Sequence, residues 1–170
     1  MVLLLVRVCT DLGGDFLMTG KKVLVLGGGF GGVRAAISAR AALDSDHEVT
    51  IVDRNRMPHL CGMNPLLIVG ERETNKTGRS LGRLANRGIK FVEANIDLID
   101  TDAQNVATSA GTLDYDYLVV ALGAAYDWDA VPGARDAYSF YDFDYARQLR
   151  RRLGRLKRGK IVLAASKPPY

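Results

Sequence analysis

The sequence is poor in the residues that staple or metallate a small fold. It holds two cysteines, Cys9 and Cys61, and two histidines in 170 residues. Two cysteines so far apart make neither a disulfide framework nor a metal-ligand spacing, so no metal site is expected and no oxidising compartment is required. Long apolar runs are missing too. No stretch approaches the ~18–20 residues that span a bilayer. The short run Val2–Val6 has its basic residue after it, and no small-residue cleavage site follows. Residues 1–19 therefore read as a disordered extension, with Met18 as the functional start. Acid is lacking in one place: between Arg147 and Lys160 eight Lys or Arg residues stand without an Asp or Glu. That segment carries the formal net charge of +4, for the rest of the chain has 15 basic against 19 acidic residues. The basicity is local, and a nucleic-acid-binding surface is not expected.

What is present is the balance of a globular domain, 48% apolar and 25% charged. Val23-Leu24-Val25-Leu26 is the apolar, β-branched run of a strand buried on both faces. A glycine-rich turn follows, then an alanine-rich helical segment over Val33–Leu43, then a second strand over Glu48–Asp53. The opening is thus a βαβ unit. Residues 54–75 are irregular, interrupted by Pro58, Gly62, Pro65 and Gly70. Leu81, Leu84 and Ala85 suit a helix ending near Arg87-Gly88, before a third strand over Ile89–Val92. Short extended pieces at Ile96–Ile99, Asn105–Thr108 and Thr112-Leu113 read as an antiparallel meander. Tyr117–Ala121 is another buried strand. Tyr145–Leu156 is a basic amphipathic helix, with Ala146, Leu149, Leu153 and Leu156 as its apolar stripe, and Lys160–Ala164 starts a further strand.

The turn carries the chemistry. Gly27-x-Gly29-x-x-Gly32 stands after a strand and before a helix, and Asp53 ends the next strand. In that context Gly27 permits the sharp turn, Gly29 leaves room for a pyrophosphate, and Gly32 lets helix pack closely on strand. The N–H groups and positive dipole of the helix start favour the phosphates. Asp53 stands where a carboxylate accepts the ribose hydroxyls of an adenosine, and its charge repels a 2′-phosphate, so FAD or NAD is expected and not NADP. Gly27, Gly28, Gly29, Phe30, Gly31, Gly32, Asp53 and the neighbouring Arg54 are the candidate dinucleotide residues. A single Rossmann domain of an NAD dehydrogenase would continue in βαβ units after the third strand, whereas a meander intervenes here.

Tyr115-Asp116-Tyr117-Leu118-Val119-Val120-Ala121-Leu122-Gly123, followed by Val131-Pro132-Gly133, resembles the second signature of the FAD-dependent pyridine nucleotide-disulfide oxidoreductase superfamily. With the glycine turn and Asp53 in the right order, the resemblance covers roughly Lys21 to Tyr170. It implies an α/β, Rossmann-like (glutathione-reductase-type) FAD-binding domain with a parallel sheet and a small antiparallel meander, incomplete, over residues 20–158. Residues 159–170 would then begin a second, truncated dinucleotide fold. It further implies that Ala121, Leu122 and Gly123 lie against FAD, and that the backbone at Ile96 holds the adenine edge.

Within the superfamily, disulfide reductases carry a C-x-x-x-x-C pair soon after the acid. Cys61 has Leu66 where its partner would be, so a dithiol is excluded; Cys61 remains a weak candidate as a lone catalytic thiol, against an inert cysteine. His59 could approach a flavin or quinone, against an ordinary loop histidine. NADH-oxidising members have a second glycine fingerprint after the strand that opens the second domain, whereas Ala164-Ala165-Ser166-Lys167-Pro168-Pro169-Tyr170 has no glycine. That ending, Leu122 in place of the usual Thr, and Tyr138-Ser139-Phe140-Tyr141 are similar to the sulfide:quinone oxidoreductases and the flavoprotein of flavocytochrome c sulfide dehydrogenase. The resemblance implies a small-molecule electron donor, sulfide or a related compound, oxidised through a cysteine persulfide and FAD, with quinone or cytochrome as acceptor. A type II NADH:quinone oxidoreductase-like enzyme, or a non-catalytic truncated remnant, are the alternatives. The redox cysteine of that branch would follow Tyr170, so these residues alone are expected to be inactive and to hold FAD weakly or not at all. Membrane association is expected only through regions outside them, with a cytoplasmic or inner-membrane-peripheral location and a periplasmic one left open.

Overall fold

The computed structural model describes residues 20–164. The extension proposed for residues 1–19 and the Pro168-Pro169-Tyr170 ending lie outside the described residues. The described chain divides into two compact units, one of residues 20–58 and 79–124 and one of residues 59–78 and 125–164.

The first unit is built on four parallel strands. β1 (Lys22–Leu26) leads through the glycine turn into α1 (Phe30–Ala42), and β2 (Glu48–Asp53) returns beside β1. β3 (Ile89–Glu93) extends the sheet beyond β2. Three antiparallel strands follow, β4 (Ile96–Asp100), β5 (Asn105–Thr108) and β6 (Gly111–Asp114), paired in sequence order. β7 (Tyr117–Val120) then pairs parallel with the other side of β1, so the sheet order is β3-β2-β1-β7.

Alternation along the central strands explains why β1 is apolar from Val23 to Leu26. Val23 and Val25, with Val49, Ile51 and Ile89, pack on the face that holds Ala36 of α1 and Leu81 and Leu84. Leu24 and Leu26, with Val52, point the other way, against Ala94, Val106 and Tyr115 of the meander side. A parallel sheet covered on both faces needs an apolar residue at every position of its central strand.

The structure differs from the sequence reading at three places in the chain. Helix α1 begins at Phe30, so Gly31 and Gly32 lie inside it and the turn itself is Gly27–Gly29. The helix expected near Leu81 is a 3-10 segment, Leu81–Arg87; its three-residue repeat stacks the buried pair Leu81 and Leu84 on one side. It ends at Gly88, whose φ of 70° is the left-handed conformation glycine adopts without strain. Within the irregular stretch a 3-10 turn, Cys61–Met63, leads into a short α-helix, α2 (Asn64–Ile68), with Pro65 in its first turn, where a missing N–H costs nothing.

The second unit centres on α2 and α3 (Phe143–Leu153). α3 starts two residues earlier than its apolar stripe suggests, because the Asp142 carboxylate caps it by accepting the Tyr145 N–H at 2.9 Å. It stops at Gly154, three residues short of the expected Leu156 by its last helical residue. Ala146 is buried and Leu149 and Leu153 are half-buried, whereas Leu156 is exposed. The strand expected over Lys160–Ala164 is absent: Ile161, Val162 and Leu163 are exposed and extended pairing is not formed. A strand is held by a neighbour's hydrogen bonds, and among the described residues none lies alongside.

Candidate functional site

The sequence-predicted residues Gly27–Gly32, Asp53 and Ala121–Gly123 converge at the carboxyl ends of β1, β2 and β7. In open parallel sheets this is the edge at which ligands bind. Gly27 leaves β1 with φ of 101° and donates its N–H to the Val52 carbonyl at 2.8 Å. A Cβ there would lie 2.3 Å from the carbonyl oxygen of Ala121. The missing side chain therefore does two things: it permits the turn, and it lets the segment after β7 close down on it. The Ala121 N–H completes the contact by donating to the Leu26 carbonyl at 2.8 Å.

The other glycines divide cleanly by what surrounds them. A Cβ on Gly32 would fall 1.7 Å from the Gly27 carbonyl oxygen, so helix and turn touch through backbone there. One on Gly28 would meet Leu81 Cδ1 at 2.4 Å and Asp53 at 3.2 Å. On Gly29 it would meet nothing within 4 Å, and the φ of −75° and ψ of −168° suit any residue. Phe30 is exposed beside it. No side chain caps α1 and its first turn holds no acid; Gly29, Phe30 and Gly31 are exposed, so the amino-terminal N–H groups of the helix, which have no intrahelical acceptors, stand at an open surface. Anions are favoured at such an end.

Asp53 is aimed at the turn. Its Oδ2 accepts the Gly28 N–H at 2.6 Å and its Oδ1 accepts the Asn55 N–H at 2.7 Å. A carboxylate has about four acceptor sites, so about two remain for other donors. Beyond it, Ala94 donates to the Asp53 carbonyl at 3.1 Å, and Ile96 opens β4 two residues further on. Arg54 is exposed, and so are Leu122 and Gly123, the latter with φ of 81°. Leu81 is the neighbour that sequence reasoning missed: it walls Gly28 only because the segment after residue 78 returns to the first unit, and no local pattern signals that.

The residues of the Tyr115-Asp116-Tyr117 signature serve the fold. Tyr115 is buried in the meander core, and Tyr117 starts β7. Asp116 ties β7 to β1, accepting the Lys22 N–H at 2.7 Å and the Lys21 ammonium at 3.2 Å, while its own N–H donates to the Lys22 carbonyl at 2.9 Å. Burial is the largest single influence on its carboxyl and works to raise the pKa. The bonds from Lys22 and Lys21 and the charges of both lysines together outweigh it, holding the group below its ordinary value of 3.8.

Cys61 and His59 belong to the second unit. Cys61 is an exposed free thiol in a 3-10 turn, Cys61–Met63. Leu66, where a partner cysteine would stand, is 39% exposed on α2. The His59 ring stacks on Phe143 at 3.4 Å between centroids and shares a 2.9 Å hydrogen bond with Thr77 Oγ1. Burial first, then the charge of Arg147, lowers its pKa below 6.5 against the opposing pull of Asp144. Those contacts give the histidine a packing role within its unit. Among the described residues no three His, Cys, Asp or Glu side chains gather as a metal site, and no helix is long and apolar enough to cross a membrane.

Residues 21–163 match the family of pyridine nucleotide-disulphide oxidoreductases. The chain belongs to that family. Within it, this oxidoreductase chain is 29% identical over 136 residues to the type II NADH:quinone oxidoreductase of Staphylococcus haemolyticus (strain JCSC1435), covering 78% of its own length and 34% of that protein. Its structure is similar to the sulfide:quinone oxidoreductase from the hyperthermophilic bacterium Aquifex aeolicus, with a TM-score of 0.73 and 28% identity over 79% of this chain and 32% of that one. NDH2 from Plasmodium falciparum, determined in complex with NADH, shares the fold at a TM-score of 0.62 and 21% identity, over 76% and 28% of the two chains. The chain thus spans about a third of the length of these relatives. FAD is the cofactor of this pyridine nucleotide-disulphide oxidoreductase fold. The open helix end, the carboxylate facing the glycine turn and the unobstructed Gly29 fit its adenosine diphosphate part.

Proposed function

We propose that this chain supplies the FAD-holding part of an oxidoreductase that passes electrons from a small-molecule donor, sulfide or a related compound, to a quinone. The observation that carries the cofactor reading is the Gly28 N–H bonded to Asp53 Oδ2 at 2.6 Å beside an uncapped helix start. On this reading Asp53 accepts ribose hydroxyls with its remaining lone pairs, and the N–H groups from Gly29 to Gly32 receive the pyrophosphate. Ala121, Leu122 and Gly123 back the flavin side, Ile96 offers backbone to the adenine, and Arg54 adds positive charge nearby. Bound FAD supplies a two-electron acceptor; the protein's part is to orient it and to keep its diphosphate neutralised.

A quinone acceptor is supported by two relatives that are themselves quinone oxidoreductases, and it is consistent with a place at a membrane surface. Sulfide as donor is supported by the glycine-free segment Ala164–Tyr170, by Leu122, and by the likeness to the Aquifex aeolicus enzyme. NADH as donor is the second reading, favoured by the 29% identity to the Staphylococcus protein.

Titration of the longer protein that contains this chain with FAD, followed by quenching of flavin fluorescence, tests the cofactor reading. Asp53→Asn keeps an acceptor for Gly28 but removes the charge, and is expected to weaken binding roughly tenfold, the equivalent of about 1.4 kcal/mol for a charge-assisted hydrogen bond. Unchanged affinity would contradict the assignment. Anaerobic mixing of the FAD-loaded longer oxidoreductase that contains this chain with sulfide or with NADH then separates the donors, by which of them bleaches the flavin absorbance.

A further inference from the structure

We propose that a recess at the carboxyl-terminal end of α3 binds a phosphate-bearing polyanion, a site independent of the flavin reading. Tyr138, Gln148, Arg151, Arg152, Arg155 and Leu156 line a concavity of about 450 Å³, within the ~300–1,000 Å³ of small-molecule sites. Gln148, Arg151 and Arg152 follow one another at i, i+3 and i+4, the spacing of a single helical face, and Arg155 joins them from the turn just past the helix end. No carboxylate is among the lining residues.

The acids near α3 are committed elsewhere. Asp142 caps the helix, Asp144 pairs with Arg147 at 3.3 Å, and Glu73 takes Arg150 at 3.2 Å. Among the described residues Arg151, Arg152 and Arg155 have no ion-pair partner, so three guanidiniums share one concavity uncompensated. Helix-dipole stabilisation accounts for arginines in the last turn. It does not account for Arg155, which lies beyond the helix end at Leu153. Like charges lining one recess repel, and an anion of two or more charges relieves that repulsion.

The donor geometry selects the chemistry. Guanidiniums present paired N–H groups that match phosphate oxygens bidentately. With the Tyr138 phenol and the Gln148 amide, the recess offers more donors than one carboxylate can accept, whereas a di- or triphosphate, or a lipid headgroup phosphate, has enough oxygens. The Tyr138 ring and Leu156 form the apolar wall beside them.

Calorimetric titration of the 170-residue chain with sodium tripolyphosphate at physiological salt is expected to show saturable, single-site binding. The triple variant Arg151→Gln/Arg152→Gln/Arg155→Gln is expected to weaken it by about tenfold or more, and Arg155→Gln alone by a smaller factor. Lys157→Gln/Arg158→Gln/Lys160→Gln removes the same charge outside the recess and is expected to change affinity less than about twofold. Circular dichroism checks that all variants keep their fold. Cosedimentation with phosphatidylcholine vesicles, with and without phosphatidylglycerol, distinguishes the sources. Sedimentation with anionic vesicles that tripolyphosphate reverses identifies a lipid headgroup; tripolyphosphate binding without sedimentation identifies a soluble polyanion. No saturable binding to either probe, or equal loss in the two triple variants, would overturn the proposal.

Discussion

Two glycines of one turn should answer opposite questions when replaced. Gly32 sits where a Cβ would be 1.7 Å from the Gly27 carbonyl oxygen and 2.9 Å from its carbon. Both atoms are backbone at the end of β1, so neither yields without moving the turn. Overpacking of this kind costs about 1–3 kcal/mol, while alanine recovers up to about 1 kcal/mol over glycine within a helix. A 1.7 Å clash with backbone stands at the upper end of that range, so Gly32→Ala should lose about 2 kcal/mol and, at ~2–4 °C per kcal/mol for a chain of this size, melt several degrees lower. Gly29 is the contrary case. It is the residue before the first turn of α1, in extended conformation, with open space where its Cβ would go. Serine is as good or better than glycine at such a position, so Gly29→Ser should leave stability unchanged or raise it by a few tenths of a kcal/mol. What the serine side chain would enter is the space assigned to the pyrophosphate, and FAD affinity should fall by about tenfold or more. Thermal denaturation, and flavin fluorescence titration of the longer protein that contains this chain, make the comparison on both variants. A Gly29→Ser protein that binds FAD like the parent, or a Gly32→Ala protein that melts no lower, would refute this division of roles.

Other perturbations have equally definite outcomes. Asp116 has a folded-state pKa held below 3.8, so the stability it contributes is present above that pH and is lost as pH falls through the lower folded value; urea denaturation between about pH 5 and pH 2 should show that loss, and Asp116→Asn should flatten it. His59 is likewise depressed below 6.5, so its contribution is full above that pH and fades on acidification, which an NMR titration of its ring should report as a midpoint below the ordinary histidine value. Ile51 is completely buried against α1, and Ile51→Ala should cost about 2–5 kcal/mol by chemical denaturation.

Much of the first unit was legible because its signals are local. Glu48–Asp53 was bounded by a charge at one end and an acid at the other, and β2 has those bounds. The meander announced itself through short extended pieces broken by Asp102 and Gly111. What the chain hides is tertiary. Lys160–Ala164 has a strand's composition but no neighbour among the described residues, and composition alone does not make pairing. The start of α3 depended on Asp142 as a cap, a role overshadowed by the apolar residues that begin at Tyr145. At the candidate site, Gly27, Gly29 and Gly32 could be given separate physical tasks from the spacing, whereas Gly28 could be named only as a candidate, because its crowding by Leu81 and Asp53 shows only in the fold.

The pairing of β7 with β1 has a consequence for how the chain is made. Val23 hydrogen-bonds alongside Tyr117, so a ribosome must deliver almost a hundred residues after the first strand before its second edge is covered. Until then an apolar edge stands open to any other extended chain, and the Ala121 carbonyl that seals the glycine bend has not yet emerged. Arrest or truncation anywhere before Tyr117 should therefore yield aggregating nascent chains, and cofactor capture should begin only once that last parallel strand has docked.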